Sequence, residues 1–134
     1  MATEKDAAGE REGKAVQDPL TDRIIGCIIR VHKTLGAGFA ESVYRNALVV
    51  ELRRAGLACE AEKEIGIEYQ GVEVGRHRLD LVVDGSLVLE LQTVEQLTAV
   101  HYSQLRSYLN AAGARLGLLV NFGAAKADIR RVEI

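Results

Sequence analysis

The sequence predicts an α/β domain built on a mixed sheet, and three observations predict it. Two stretches with helical apolar periodicity come first, at 20–35 and about 39–55. Three strand-like runs separated by turn signals follow, at 57–93. A third helical stretch then leads into "ARLGLLVNF", a fully apolar run of the kind a central strand shows. The expected order is α-α-β-β-β-α-β, with "IRRVEI" as a final edge strand.

Each element has its own local reason. The first 19 residues mix charges with small side chains and read as a disordered tail. Pro19 marks where the fold begins, so one domain is expected over 20–134. Ile24, Ile28, Val31 and Leu35 form one helical stripe, with Ile25 and His32 at its edge. Thr21 or Asp22 is the expected cap, and "GAG" at 36–38 ends the helix. His32 reads as a satisfied structural histidine. On the second helix Leu48 and Leu52 face inward, and Glu41 and Tyr44 continue the same stripe. Gly56 closes it. The runs "LACEAEKEIGIEY", "VEVGRHRLDLVV" and "SLVLELQT" read as an antiparallel meander turning at Gln70–Gly71 and Asp84–Gly85. Thr98 caps the third helix and Gly113 stops it.

Composition narrows the function. A net charge of -2 lacks the strong basic excess common among nucleic-acid binders. The absence of Trp and the few aromatics argue against a base-stacking surface. Cys27 and Cys59 fit no metal-ligand spacing and read as free thiols in a reducing, cytoplasmic compartment. No apolar run has the length of a membrane span, and the N-terminus has no signal-peptide core.

Asp80 and Glu90 are the chemical puzzle, because each lies inside an apolar strand. Sequence propensity favours a two-residue loop at Asp84–Gly85, which would pair Asp80 with Leu89 and turn the two acids to opposite faces. A loop one residue longer, or a bulge, would set Asp80 opposite Glu90, with Cβ atoms about 5 Å apart. Facing carboxylates repel unless one is protonated or a cation lies between them. A hard ion such as Mg2+ suits that pair, with the Leu91 carbonyl between Glu90 and Gln92 as a further ligand. The plainer alternative pairs the acids with arginines, for which Arg76, Arg78, Arg130 and Arg131 are available. His77 reads as solvated, and Tyr44 and Tyr108 as either core or pocket residues.

"GFAESVY" is Gly38-x-x-Glu41-x-x-Tyr44, and it resembles the signature of the GxxExxY family of the PD-(D/E)XK nuclease superfamily. The likeness extends through "HRLDLVV", "LVLELQTVEQLTAVHYSQLRSYL" and "RLGLLVNFG", covering about 20–134. It implies a three-layer restriction-endonuclease-like core, an αβββαβ mixed sheet flanked by helices. It implies Mg2+ or Mn2+ on Asp80, Glu90 and Leu91, and DNA or RNA as partner. Glu41 matches the helix carboxylate of the RecB-like and lambda-exonuclease-like branches, and Gln104-x-x-x-Tyr108 matches their Q-x-x-x-Y motif. Tyr44 joins them as a site residue, and Arg78 and His101 as substrate contacts. The resemblance also favours the longer loop or bulge.

One departure matters. The family pattern ends E-x-K, and this chain reads Glu90-Leu91-Gln92. An amide donates hydrogen bonds but carries no charge. Two readings follow. In the first, the chain is a metal-dependent nuclease with Gln92 positioning water or phosphate. In the second, the fold is a degenerate binding module that self-assembles as a homo-oligomer, with the edge strand at "IRRVEI" as one route.

Overall fold

A computed structural model describes residues 18–134. The tail expected over the first 19 residues lies outside the described residues except for Asp18 and Pro19. Eight elements follow in the expected order: α1 (Pro19–Leu35), α2 (Glu41–Arg54), β1 (Cys59–Tyr69), β2 (Val72–Val83), β3 (Leu87–Gln92), α3 (Ala99–Ala112), β4 (Leu116–Asn121) and β5 (Asp128–Glu133).

The cap of α1 differs from expectation. Asp18 is the N-cap, its carboxylate accepting from the Thr21 N–H at 2.7 Å, and Pro19 takes the first turn. Pro has no N–H to leave unpaired there, so Asp-Pro outcompetes Thr21 and Asp22, which lie one turn inside. At the other end Gly36, at φ 71°, turns the chain out of the helix, and its N–H returns to the His32 carbonyl.

The sheet runs β1-β2-β3-β4-β5. β1, β2 and β3 form the antiparallel meander, β3 and β4 are parallel across α3, and β5 returns antiparallel along the edge. Helices cover both faces. One core joins α1 and α2 to Leu81, Val83, Leu87, Leu89, Leu91, Leu118, Val120 and Phe122. The second joins α3 to Ile65, Leu79, Val82, Val88, Leu119 and Val132. Alternation along β3 and β4 thus feeds both layers, and on the face of β3 shared by Val88, Glu90 and Gln92 the polar residues begin where the strand leaves the β2 ladder.

β2 breaks that alternation. Leu79 and Val82 both face α3, whereas Leu81 and Val83 face α1 and α2. The strand therefore changes face across Asp80. The neighbouring strand breaks at the same level: Ala61 pairs with Leu81 and Lys63 with Leu79, but Glu62 between them has φ 56° and no ladder partner.

The β2–β3 connection resolves the register. Asp84 and Gly85 both have positive φ, as a type I′ turn requires, and the Ser86 N–H closes it on the Val83 carbonyl at 3.1 Å. The ladder then pairs Val83 with Leu87, Val82 with Val88 and Leu81 with Leu89. The Asp-Gly turn keeps its local preference, and Ser86 is the extra residue that shifts the register. The longer of the two expected loops is the one formed.

Both cysteines are free thiols, Cys27 buried and Cys59 half-buried. Among the described residues no helix is long and apolar enough to cross a membrane.

Candidate functional site

β2 and β3 part immediately beyond Leu81–Leu89, and the two acids stand at the parting. There the carboxylates replace the backbone ladder. The Asp80 N–H donates to Glu90 Oε2 at 3.0 Å, and the Leu91 N–H donates to Asp80 Oδ2 at 2.7 Å. Glu90 is buried and Asp80 half-buried. Burial, with Asp80 beside it, pushes the Glu90 carboxyl up to about 8. Burial also raises Asp80, against the opposing pull of the Leu91 N–H, His77 and Arg45. Desolvation dominates each shift because the one backbone N–H each carboxyl accepts from does not make up for the water it loses.

Glu41 enters from the first turn of α2. Its carboxyl is raised by partial burial and by Asp80, with the Thr93 N–H pulling the other way. Gln92 ends β3 on the Glu90 face, since Leu87, Leu89 and Leu91 take the other. Asp80, Glu90, Glu41 and the Leu91 backbone therefore meet at one end of the sheet, with Gln92 next to them.

Other expected site residues have different surroundings. Tyr44 is fully buried, stacked on Phe122 at 4.4 Å, and its hydroxyl donates to the Gly36 carbonyl and accepts from the Phe39 N–H. It clamps the α1–α2 loop and leaves its hydroxyl no open side. His101 Nδ1 accepts from the Thr98 N–H at 2.9 Å, closing the start of α3. Arg78 is exposed and paired with Glu62 and Glu64 of β1. Gln104 and Tyr108 line a shallow groove along α3 with Ser103 and Ser107. His32 is the structural histidine expected, with Nε2 at 3.0 Å from the Ala124 carbonyl and the ring stacked on Phe122.

Three residues of this region were not legible as such. His77 is half-buried rather than simply solvated: its Nε2 lies 3.3 Å from Glu90 Oε1, and its ring stacks on Tyr108 at 3.5 Å. Strict alternation would put His77 and Asp80 on opposite faces, and the face change at Asp80 removes that bar. Tyr108 thus reaches the acids through His77. Arg45, one helical turn after Glu41, forms an ion pair with Glu62 at 3.1 Å instead. Asn121, buried at the end of β4, accepts from the Val94 and Gly123 N–H groups and donates to the Val94 carbonyl.

Asn121 ties the turn after β3 to the end of β4. Asn121→Ala leaves three backbone groups without that partner, and a loss of about 2 kcal/mol is expected in urea unfolding. An unchanged midpoint would show that the turn is held by something else.

The donor chemistry fits a hard divalent cation: two carboxylates and a nearby backbone carbonyl, all oxygen. The elevated Glu90 is the feature a cation relieves, because it favours the ionised form. Among the described residues, however, no three His, Cys, Asp or Glu side chains already stand together as a ligand set. Their oxygens are turned to backbone N–H groups and to His77 instead.

Three helices around a mixed five-stranded sheet make this an α/β fold of the restriction-endonuclease-like kind. A family profile described as the PD-(D/E)XK nuclease superfamily matches residues 18–132, and the chain belongs to that superfamily. Among solved structures, the crystal structure of SSO0001 is similar in fold, with TM-score 0.50 and 19% identity over 90% of this chain and 70% of that one. No curated protein matches the chain.

Proposed function

We propose that this chain is a Mg2+- or Mn2+-dependent nuclease of the GxxExxY type, hydrolysing phosphodiesters of DNA or RNA. One observation carries the reading: the Ser86 shift brings Asp80 and Glu90 together where β2 and β3 part. Superfamily membership supports it. Asp80, Glu90 and the Leu91 carbonyl are the groups that would hold the cation, with Glu41 beside them. When bound, such an ion supplies Lewis acidity at the phosphoryl group and acidifies water.

The chain's own residues supply the rest. Glu41 orients the attacking water, whose oxygen bonds to phosphorus as the ester P–O bond breaks and the leaving oxygen takes a proton. Gln92 donates its amide N–H to that water or to a phosphate oxygen. The buried walls exclude bulk water and strengthen each of these contacts.

Calorimetric titration of Mn2+ into the wild type and Asp80→Ala tests this reading. A binding isotherm in the wild type and none in the variant is expected, with metal-dependent cleavage of DNA or RNA following the same pattern. Equal heats in both proteins would refute the metal site. Binding without cleavage of any nucleic acid would favour the binding-module reading instead.

A further inference from the structure

Phosphodiester hydrolysis piles negative charge onto the phosphoryl group, and three acids crowd the candidate site. A cation must sit near them, and Gln92 is neutral. The arginines of β2 lie on the exposed hairpin: Arg76 pairs with Glu64 and Glu73, and Arg78 with Glu64 and with Glu62, the carboxylate it shares with Arg45. Arg45 is different. It lies on α2 in the same stripe as Glu41, four residues on. Its side chain is about four-fifths buried, with relative exposure 21%. Its Nη2 is anchored on Glu62, the residue that stands opposite Asp80 where the β1–β2 ladder is broken. Its Nε is buried and has no hydrogen-bond partner among the described residues. Asp80 feels its positive charge.

We propose that Arg45 is the phosphate-contacting cation of this site, held by Glu62 beside Asp80 with donors left over for the non-bridging oxygens of a phosphodiester. This deepens the nuclease reading and rests on it. A guanidinium suits the role, since its planar fork matches two phosphate oxygens at once and stays charged at every working pH. Glu62 is its resting partner. The substrate phosphate competes with that carboxylate, so binding is weaker than the free cation would allow.

The test measures binding separately from catalysis. Labelled single-stranded DNA and RNA oligonucleotides are titrated with protein in Ca2+ and followed by anisotropy. Arg45→Gln is expected to weaken binding about tenfold, and Arg45→Lys to recover part of it. Glu62→Gln, which releases both Arg45 and Arg78, is expected to tighten binding, and the gain should vanish in the Glu62→Gln/Arg45→Gln double variant, which keeps the released Arg78. A purely structural Arg45–Glu62 pair predicts the reverse: both single variants lower the melting temperature and neither tightens binding. Binding of Arg45→Gln equal to the wild type, or a Glu62→Gln gain that survives in the double variant, overturns the proposal. Cleavage with Mn2+ is read alongside. If the wild type binds oligonucleotide through Arg45 but cleaves nothing, the nuclease reading fails and the phosphate contact stands.

Discussion

Glu90→Gln is expected to stabilise the protein at pH 8 and to flatten its stability between about pH 6.5 and 8. Glu90 titrates at about 8 in the fold, against an ordinary 4.5. Between those values the folded protein keeps a proton that the unfolded chain has released. Raising the pH therefore favours the unfolded chain, by up to ~1.4 kcal/mol per pH unit for one group. Asp80 and Glu41 are also shifted upward by burial, so each contributes a slope of the same sign above its ordinary value. Burial shifts His77 downward from 6.5, so the unfolded chain takes up a proton the fold resists, and this opposes the carboxyl slope. The opposition fades over about one pH unit above 6.5, as the unfolded imidazole loses its proton, and Glu90 controls the slope toward pH 8.

Gln resembles the protonated acid and cannot ionise. Its amide oxygen still accepts from the Asp80 N–H, and its amide N–H groups can face Asp80 and His77. The gap between variant and wild type should grow by up to ~2 kcal/mol across the window. Mn2+ should close it from the other side, since a ligand that binds only the folded, ionised site stabilises the wild type by mass action. Urea unfolding at half-unit pH steps, with and without Mn2+, reads both effects. Parallel slopes in the two proteins would mean that Glu90 is ionised in the fold and that the strain assigned to it is absent.

The fold was legible because its periodicities are local. α1, α2 and α3 follow from stripes such as Ile24–Ile28–Val31, and β4 from its unbroken apolar run. Ser86 was legible only in part: the hairpin could be read two ways from its residues, and the family likeness favoured the longer one. In the candidate site, the pairing of the two acids is readable because they lie on one hairpin, and the contacts where two elements meet are not. Asp80 and Glu90 stood out because acids rarely occupy apolar strands. Arg45 did not, because its spacing from Glu41 looks like an ordinary helix ion pair, and its true partner lies on β1. His77 reads as solvated beside Arg76 and Arg78, and its contacts with Glu90 and Tyr108 follow only from the face change of β2 and the packing of α3. Tyr44 carries a signature position, yet its hydroxyl is used to hold the turn before α2. A motif residue can shape a site without lining it.

Gln92→Lys is expected to raise metal-dependent phosphodiester cleavage by on the order of 10²-fold, the worth of one well-aimed electrostatic contact. The backbone there is already fixed: Gln92 pairs with Asn121, and its carbonyl accepts from the Phe122 N–H at 2.8 Å. Only the side chain changes. Gln92 is half-buried on the Glu90 face, so the introduced ammonium has a path along the sheet surface to the acids. There it acts twice. It favours ionised Glu90, which brings the carboxylate's titration down and makes cation binding easier near neutral pH. It also places a point charge where the phosphoryl group becomes more negative in the transition state. Cleavage of a labelled oligonucleotide with Mn2+, in the presence and absence of Asp80→Ala, separates the two contributions from background nuclease. A gain that disappears with Asp80→Ala means that the metal pair is competent and that charge is what it lacks. A silent wild type beside an active Gln92→Lys would mark the natural chain as a nuclease frame retained for binding. Silence in both would move the case away from hydrolysis altogether, because neither the acids nor the restored cation would then suffice.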